Sequence, residues 1–168
     1  MDEIRILEAN LDLTLHSQAI IELTHGYAAD PMGNGRPLAP EAAKNLIPGL
    51  AKRPATIVFL AFCNNKPVGL ATCFEGFSTF TARPLIHISD LYLMPDFRGK
   101  TIAKRLLDTI KKKAHELNCC KITLEVQENN HRARHVYEAA GFDREVHGKE
   151  AGPALLFSQH LPDNETPA

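Results

Sequence analysis

The chain has 168 residues, of which 44% are hydrophobic and 23% are charged, and this composition predicts one globular domain whose core needs no metal or disulfide. Nineteen Lys and Arg residues against 20 Asp and Glu give a formal net charge of −1, which disfavours nucleic acids and anionic membranes as partners. The longest apolar stretch, residues 55–63, is far shorter than the about 20 residues that cross a bilayer, and the acidic start lacks a signal-peptide pattern. We therefore expect a cytoplasmic protein with a single domain over residues 1–161 and a flexible tail over residues 162–168.

Hydrophobic spacing predicts mixed strands and helices in the first half of the chain. The loop in this half is marked by three Pro and two Gly within eleven residues. The predicted elements are a strand at 4–7, a helix at 11–27, a loop at 30–40, a helix that begins at Pro40, and a hairpin of strands 56–62 and 68–80.

The second half contains the clearest helical periodicity of the chain. Apolar residues between positions 101 and 117 recur at i, i+3, i+4 and i+7, and basic residues occupy the other face. The predicted elements are a strand at 85–93, a helix at 101–117, a strand at 121–126, a helix at 130–140, and a hairpin of 142–146 with 153–159. This order predicts an α/β fold with a mixed sheet.

A basic loop joins the strand that ends at Leu93 to the amphipathic helix. A helix N-terminus presents unpaired N–H groups, Gly99 allows a ligand close to the backbone, and Arg98, Lys100 and Lys104 add positive charge. The segment is interpreted as a pyrophosphate site, with an ordinary connecting turn as the alternative. A Walker A motif would need glycine at position 94, and G-x-G-x-x-G is absent, so both of those nucleotide signatures are excluded.

A second motif, N-x-x-A-x-x-x-Y-x-x-x-G-F, covers residues 130–142. Together with L-Y-L-x-P at 91–95 and R-G-K-x-I-A at 98–103, it resembles the GNAT superfamily of N-acetyltransferases, and the resemblance covers residues 85–142 closely. The resemblance implies the GNAT-like acyl-CoA N-acyltransferase fold, with a central, mostly antiparallel sheet of about seven strands flanked by about four helices.

The resemblance implies acetyl-CoA as the cofactor and an N-acetyltransferase that works by direct attack of a primary amine in a ternary complex. Free backbone N–H groups near Leu91 and Leu93 would bind the acetyl carbonyl and the pantetheine arm. Asn130 would hold the pantetheine or the strand end, and Tyr137 would be the general acid, the alternative being a tyrosine that only packs in the core. The residues assigned to the cofactor are Leu91, Leu93, Arg98, Gly99, Lys100, Thr101, Ile102, Ala103, Lys104, Asn130, Ala133 and Tyr137.

Thr101 departs from the family pattern, because it occupies the first small position of the phosphate loop. Its hydroxyl could donate to a phosphate or cap the helix. A catalytically inactive acyl-CoA-binding sensor or partner domain is therefore kept as an alternative function.

The general base is less well defined by the sequence. Asp90 is the assigned catalytic residue, with Glu75, Glu125 and a water chain as alternatives, and with Ser89 and His87 as possible relay groups on the same strand. A metal site is not expected, because the histidines at 131 and 135 flank an arginine where H-E-x-x-H needs Glu.

The acceptor is expected to be a small amine. The segment around residues 74–99 is similar to the spermidine/spermine acetyltransferase branch, although Ser89 stands in place of its Glu. Specificity should lie in the loops 28–40 and 76–84, with Asp30, Glu75, Ser89 and Asp90 as the substrate-binding residues. A polyamine, a diamine, a protein or peptide amine and an aminoglycoside stay open as acceptors, and we expect a homodimer.

Overall fold

A mixed sheet forms the centre of the computed structural model, which describes residues 2–162. Strands β1 to β4 pair with their neighbours in antiparallel fashion, and β5 is parallel to β4. The strands are β1 (Ile4–Glu8), β2 (Thr56–Cys63), β3 (Lys66–Ser78), β4 (Arg83–Leu93) and β5 (Ile122–Leu124). The helices are α1 (Thr14–Ala29), α2 (Pro40–Ala51), α3 (Ile102–Glu116) and α4 (His131–Ala139). The predicted α/β class, the mostly antiparallel sheet and the four helices are confirmed.

The predicted final hairpin is wrong within the described residues, so the sheet there has five strands rather than seven. Residues 142–146 and 153–159 share a single isolated bridge, between Val146 and Pro153. The apolar residues that suggested a strand, Leu155 and Phe157, are 78% and 87% exposed. Alternation specifies two faces of a strand but not the neighbour with which it pairs, and the pattern alone could not supply that neighbour. The expected tail falls almost entirely on residues 163–168, which lie outside the described part of the chain.

The sheet separates two hydrophobic cores. Seven of the eight β2 side chains are buried, because helices cover this strand on both faces. One core lies between the sheet and α3 and includes Phe59, Ile86, Ile88, Leu106 and Ile110. The other lies beneath α1 and α2 and includes Ile20, Leu23, Leu60, Leu70 and Tyr92. These faces are named below the α3 face and the α1 face.

Helix α3 confirms the predicted periodicity. Its buried residues are Ile102, Leu106, Leu107, Ile110 and Ala114, and each large member contributes about 1.5–3 kcal/mol through burial. These buried residues form an apolar stripe that holds α3 against the sheet, with the N-terminus of the helix beside the end of β4. Over residues 2–162, none of the helices combines the length and the apolar character required to cross a membrane.

A β-bulge at Ser89 changes the side of the sheet toward which β4 residues point. Thr72 pairs with Asp90, whereas the next residue of β3 pairs with Ile88, so Ser89 is an extra residue in β4. Before the bulge Ile88 packs on the α3 face, and after it Asp90 shares the α1 face with Tyr92. Because β5 pairs only with residues 86–88 of β4, no strand of residues 2–162 pairs with the second half of β4 on that side.

Candidate active site

Beyond residue 88, the edge of β4 that faces away from β3 has no strand partner among the described residues. This unpaired edge is called the open edge of β4 below. The Met94 N–H donates to the Val68 carbonyl on β3 at 2.9 Å. Because peptide groups alternate in direction along a strand, the N–H groups of Leu91 and Leu93 point away from β3. The Leu93 carbonyl also points away, since it accepts from Arg98 Nε at 3.0 Å. The structure therefore places the predicted free N–H groups at the edge that β5 leaves open.

The loop between β4 and α3 is a cradle of amide groups. Gly99 adopts φ +73°, a left-handed conformation that favours glycine, although an added Cβ would meet no other atom within 4 Å. Among residues 2–162, no acceptor is found for the backbone N–H groups of Gly99, Lys100, Thr101, Ala103 and Lys104. Unpaired amides at a helix N-terminus bind anions, and the phosphates of coenzyme A fit this arrangement.

The side chains of this loop divide into anchors and exposed groups. Ile102 is 1% exposed and packs in the core, while Ala103 packs against the same core, so only their backbone is available to a ligand. Lys100 and Lys104 are exposed, and Lys104 lies 2.6 Å from Asp108. Thr101 stands at the N-cap position without a side-chain cap hydrogen bond, so its exposed hydroxyl does not cap α3.

Arg98 and Asp30, which the sequence assigns to different ligands, bind each other. Arg98 Nη2 lies 2.5 Å from Asp30 Oδ2, and the guanidinium carbon lies 5.6 Å from the Tyr92 ring centroid. Burial alone would raise the pKa of Asp30, but the hydrogen bonds from Arg98 and Met32, with the charges of Arg98 and Arg132, hold it below 3.8. Asp30 is therefore an ionised, fully engaged carboxylate rather than a free one.

Tyr137 has a buried ring and an available hydroxyl. The residue is 8% exposed, and its ring meets that of Phe142 edge to face at a centroid distance of 6.0 Å. No hydrogen-bond partner is found for the hydroxyl among the described residues, and none of their enclosed side-chain oxygens lacks a partner, so this oxygen reaches solvent. Burial, followed by the charge of Tyr27, raises the Tyr137 pKa to about 12.

The first turn of α4 sets the position of this tyrosine. Asn130 is the N-cap residue, and its side-chain oxygen accepts from the Ala133 N–H at 3.2 Å. Ala133 packs against the α3-face core. The structure thus gives Asn130 a capping contact and Ala133 a packing contact.

Asp90 lies among polar groups on the α1 face. Burial raises its pKa above 3.8, and the neighbouring His87 opposes that shift. The pKa of Tyr27 is also raised, first by burial and then by the charges of Asp90 and Asp30. His87 Nδ1 lies 2.8 Å from Thr123 Oγ1 across the β4–β5 pair. Of the predicted bases, Asp90 is therefore the one whose carboxyl is partly removed from solvent.

Three other predicted residues are placed elsewhere. Glu75 pairs with Ile86 and shares the α3 face, near Cys119, so the structure does not bring it together with Asp90. Ser89 is the exposed bulge residue, and Glu125 is exposed directly after β5.

Sequence reasoning missed Tyr27 and Tyr92, whose rings lie 5.9 Å apart on the α1 face. Both fit ordinary apolar spacing. The sequence feature that could have pointed to this pair is Gly26, because an added Cβ at that position would lie 2.9 Å from Tyr92 Oη.

A shallow apolar groove of about 310 Å³ lies between α2 and β3. It is lined by Leu46, Gly49, Arg53 and Phe74, among others. Phe74 pairs with His87, so the groove and Asp90 lie on the same face of the sheet.

The profile of the Acetyltransferase (GNAT) family matches residues 22–142, which include the open strand, the amide cradle and α4. The chain belongs to the GNAT family of acetyltransferases. GNAT acetyltransferases use acetyl-CoA as the acetyl donor, and the unpaired amides at the start of α3 fit its pyrophosphate.

Three curated relatives are N-acetyltransferases by name. An uncharacterised N-acetyltransferase of Archaeoglobus fulgidus is 30% identical over 106 residues, 62% of this chain and 72% of that protein. One from Bacillus subtilis is 25% identical over 91 residues, 54% of this chain and 61% of that protein. The thialysine N-epsilon-acetyltransferase of Bos taurus is 30% identical over 74 residues, 44% of this chain and 43% of that protein. The match spans less than two thirds of the length of the last two.

Solved acetyltransferase structures share the fold along almost the whole chain. A probable acetyltransferase superposes with a TM-score of 0.78 at 22% identity, covering 93% of this chain and 99% of the other. An aminoglycoside N-acetyltransferase in complex with coenzyme A gives a TM-score of 0.73 at 14% identity, covering 95% and 96%. At these identities the likeness shows the fold alone.

Proposed function

We propose that the protein transfers the acetyl group of acetyl-CoA to a primary amine by direct attack in a ternary complex. The observation that carries this proposal is one juxtaposition. The unpaired stretch of β4, which carries Asp90, ends at the amide cradle of α3, and Tyr27 lies near enough to interact electrostatically with both Asp90 and Tyr137. When bound, acetyl-CoA supplies an activated thioester as the acetyl donor.

The backbone would hold the donor. The unpaired amides of Gly99, Lys100, Thr101, Ala103 and Lys104 would bind the pyrophosphate, and the Lys100 ammonium group would add positive charge, whereas that of Lys104 is paired with Asp108. The Leu91 and Leu93 N–H groups offer hydrogen bonds to the acetyl oxygen and the pantetheine arm, which no second strand competes for beyond residue 88. Donors fixed in a strand stabilise charge as it develops on the carbonyl oxygen.

Tyr137 and Asp90 would move the protons. A neutral Tyr137 hydroxyl, whose pKa of about 12 keeps it protonated near neutral pH, donates to the departing sulfur. Asp90 accepts a proton from the amine, directly or through water, and burial makes it a stronger base than a solvated carboxylate. No cysteine occupies either motif, which supports direct attack without an acetyl-enzyme.

The acceptor is proposed to be a small aliphatic amine such as a diamine or polyamine. The apolar groove beside Phe74 suits a methylene chain, and Asp90 suits the amine at its end. The name of the bovine relative, a thialysine N-epsilon-acetyltransferase, supports an amine at the end of such a chain. Among these acceptors a diamine gains more support than a longer, more highly charged polyamine, because Asp30 is paired, Glu75 lies on the other face and Arg53 lines the groove.

We also propose that the protein forms a homodimer in solution. The exposed Leu155, Leu156 and Phe157 support an intermolecular contact in the C-terminal segment. Light scattering should give twice the monomer mass, and monomer mass across the assayed concentrations would contradict the dimer.

Release of free thiol from acetyl-CoA tests the proposed reaction. The purified protein is assayed with diamines, polyamines, lysine peptides and aminoglycosides, and the background is the same mixture without amine. Amine-dependent thiol release is expected, with aliphatic diamines ahead of aminoglycosides. Asp90→Asn should lose most of the rate, whereas Asp12→Asn, an exposed change just before α1, should retain it. Binding of coenzyme A without turnover on any amine would contradict the enzyme and favour the sensor.

A further inference from the structure

Arg98 makes three contacts that involve no ligand. Its Nε donates to the Leu93 carbonyl at 3.0 Å, its Nη2 lies 2.5 Å from Asp30, and its guanidinium lies over the Tyr92 ring. A planar guanidinium can make the first two contacts together, whereas an ammonium group cannot reproduce this fork. The positive charge of Arg98 is therefore matched by a carboxylate of the protein itself.

Both carboxylate oxygens of Asp30 also have partners within the protein. Its Oδ1 accepts from the Met32 N–H at 2.9 Å, its Oδ2 binds Arg98, and its side chain is 12% exposed. The following turn folds back on α1, because the N–H groups of Asn34 and Arg36 both donate to the Ala28 carbonyl. Residues 30–36 of this loop are thus held against the C-terminal end of α1.

We propose that Asp30 and Arg98 join two loops, the acceptor loop (residues 28–40) and the phosphate loop (residues 98–104), so that coenzyme A binding further stabilises the acceptor loop in this conformation. Arg98 is in this account a positioning residue that acts through Asp30 and Leu93, rather than a ligand of the phosphates. The proposal rests on the proposed function for the identity of the two ligands.

The coupling follows from burial and connectivity. The Arg98 and Asp30 side chains are 26% and 12% exposed, so solvent screens this pair less than a surface pair. Loss of either partner leaves the other charge partly buried without compensation, which favours movement of its loop. A ligand that holds the phosphate loop in place therefore also holds the acceptor loop, and the effect is reciprocal.

Calorimetry with coenzyme A tests the role of Arg98. Arg98→Lys keeps the charge but loses the fork, so it should weaken coenzyme A binding about fivefold or more, as much as Arg98→Gln. Arg98→Lys, which keeps the charge, should leave the salt dependence of affinity unchanged, whereas Lys100→Gln, which removes an exposed charge at the cradle, should reduce it. Wild-type affinity in Arg98→Lys would show that the charge alone suffices and overturn the proposal.

Hydrogen exchange tests the link between the loops. Saturating coenzyme A should slow amide exchange at residues 32–36 in the wild type and in the control Asp12→Asn, but not in Asp30→Asn. Equal protection in Asp30→Asn would overturn the coupling.

In the free protein, Asp30→Asn and Arg98→Gln should each lower the unfolding midpoint, and the double variant should be little worse than either. Additive losses would also overturn the pairing. Loop coupling without turnover contradicts the proposed function alone, and turnover without coupling contradicts this inference alone.

Discussion

Replacing Tyr137 by Phe separates a proton donor from a packing residue. The change removes one oxygen and keeps the ring against Phe142, at a centroid distance of 6.0 Å. Because no protein group among the described residues binds the hydroxyl, the free energy of unfolding should change by no more than about 0.5 kcal/mol. Coenzyme A affinity should likewise stay close to that of the wild type.

The catalytic effect should be much larger. Loss of a positioned general acid lowers a rate by about 10²- to 10⁴-fold, or about 3–5 kcal/mol of transition-state stabilisation. Thiol release should show kcat and kcat/KM falling together, since the contact is made only in the transition state. Turnover of Tyr137→Phe within about twofold of the wild type, on the acceptor that the wild type uses, would refute the assignment.

The pH profile gives the same residue a second test. Tyr137 donates in its neutral form, which persists below its pKa of about 12, so its ionisation should cause no loss of rate between pH 8 and 10. An alkaline loss in that range that is absent from Tyr137→Phe would contradict the raised pKa.

Three further substitutions have expected outcomes. Asp90→Asn should lower turnover by about 10²-fold or more. It should also raise the unfolding midpoint at pH 7, because an ionised carboxyl with a raised pKa destabilises the fold above that pKa. Wild-type turnover should fall as pH drops through this pKa, because the protonated carboxyl can no longer accept a proton. Gly99→Ala should weaken coenzyme A binding and cost about 1 kcal/mol of stability through its φ of +73°, as measured by calorimetry and urea unfolding, and an unchanged affinity would count against the cradle. Gly33→Ala should destabilise the acceptor loop, because the added Cβ would lie 2.0 Å from the Tyr27 carbonyl, and faster amide exchange at residues 32–36 would show it.

Local patterns were sufficient to predict the frame of the site. The stripe of α3 is buried as its spacing indicated, and the order strand, basic loop, helix places the amide cradle at the end of β4. These features depend on residues that are neighbours in the chain. For the same reason the loop at 30–40, with its Pro and Gly residues, was predicted correctly.

Features that depend on pairing could not be predicted. The extra residue Ser89 reverses the alternation of β4, so Asp90 and Glu75 lie on opposite faces although simple alternation carried no sign of this. Arg98 and Asp30 are 68 residues apart, and nothing in either local segment indicates that they bind each other. The final hairpin failed because its pattern defined faces without defining a partner strand.

Calorimetric titration of acetyl-CoA into the wild-type protein tests the central claim most directly, namely that the open edge of β4 and the cradle of α3 form one donor site. The account predicts one molecule bound per chain, with an affinity that falls as salt rises and that weakens in Gly99→Ala. Absence of binding, or equal binding by the wild type and Gly99→Ala at every salt concentration, would contradict it.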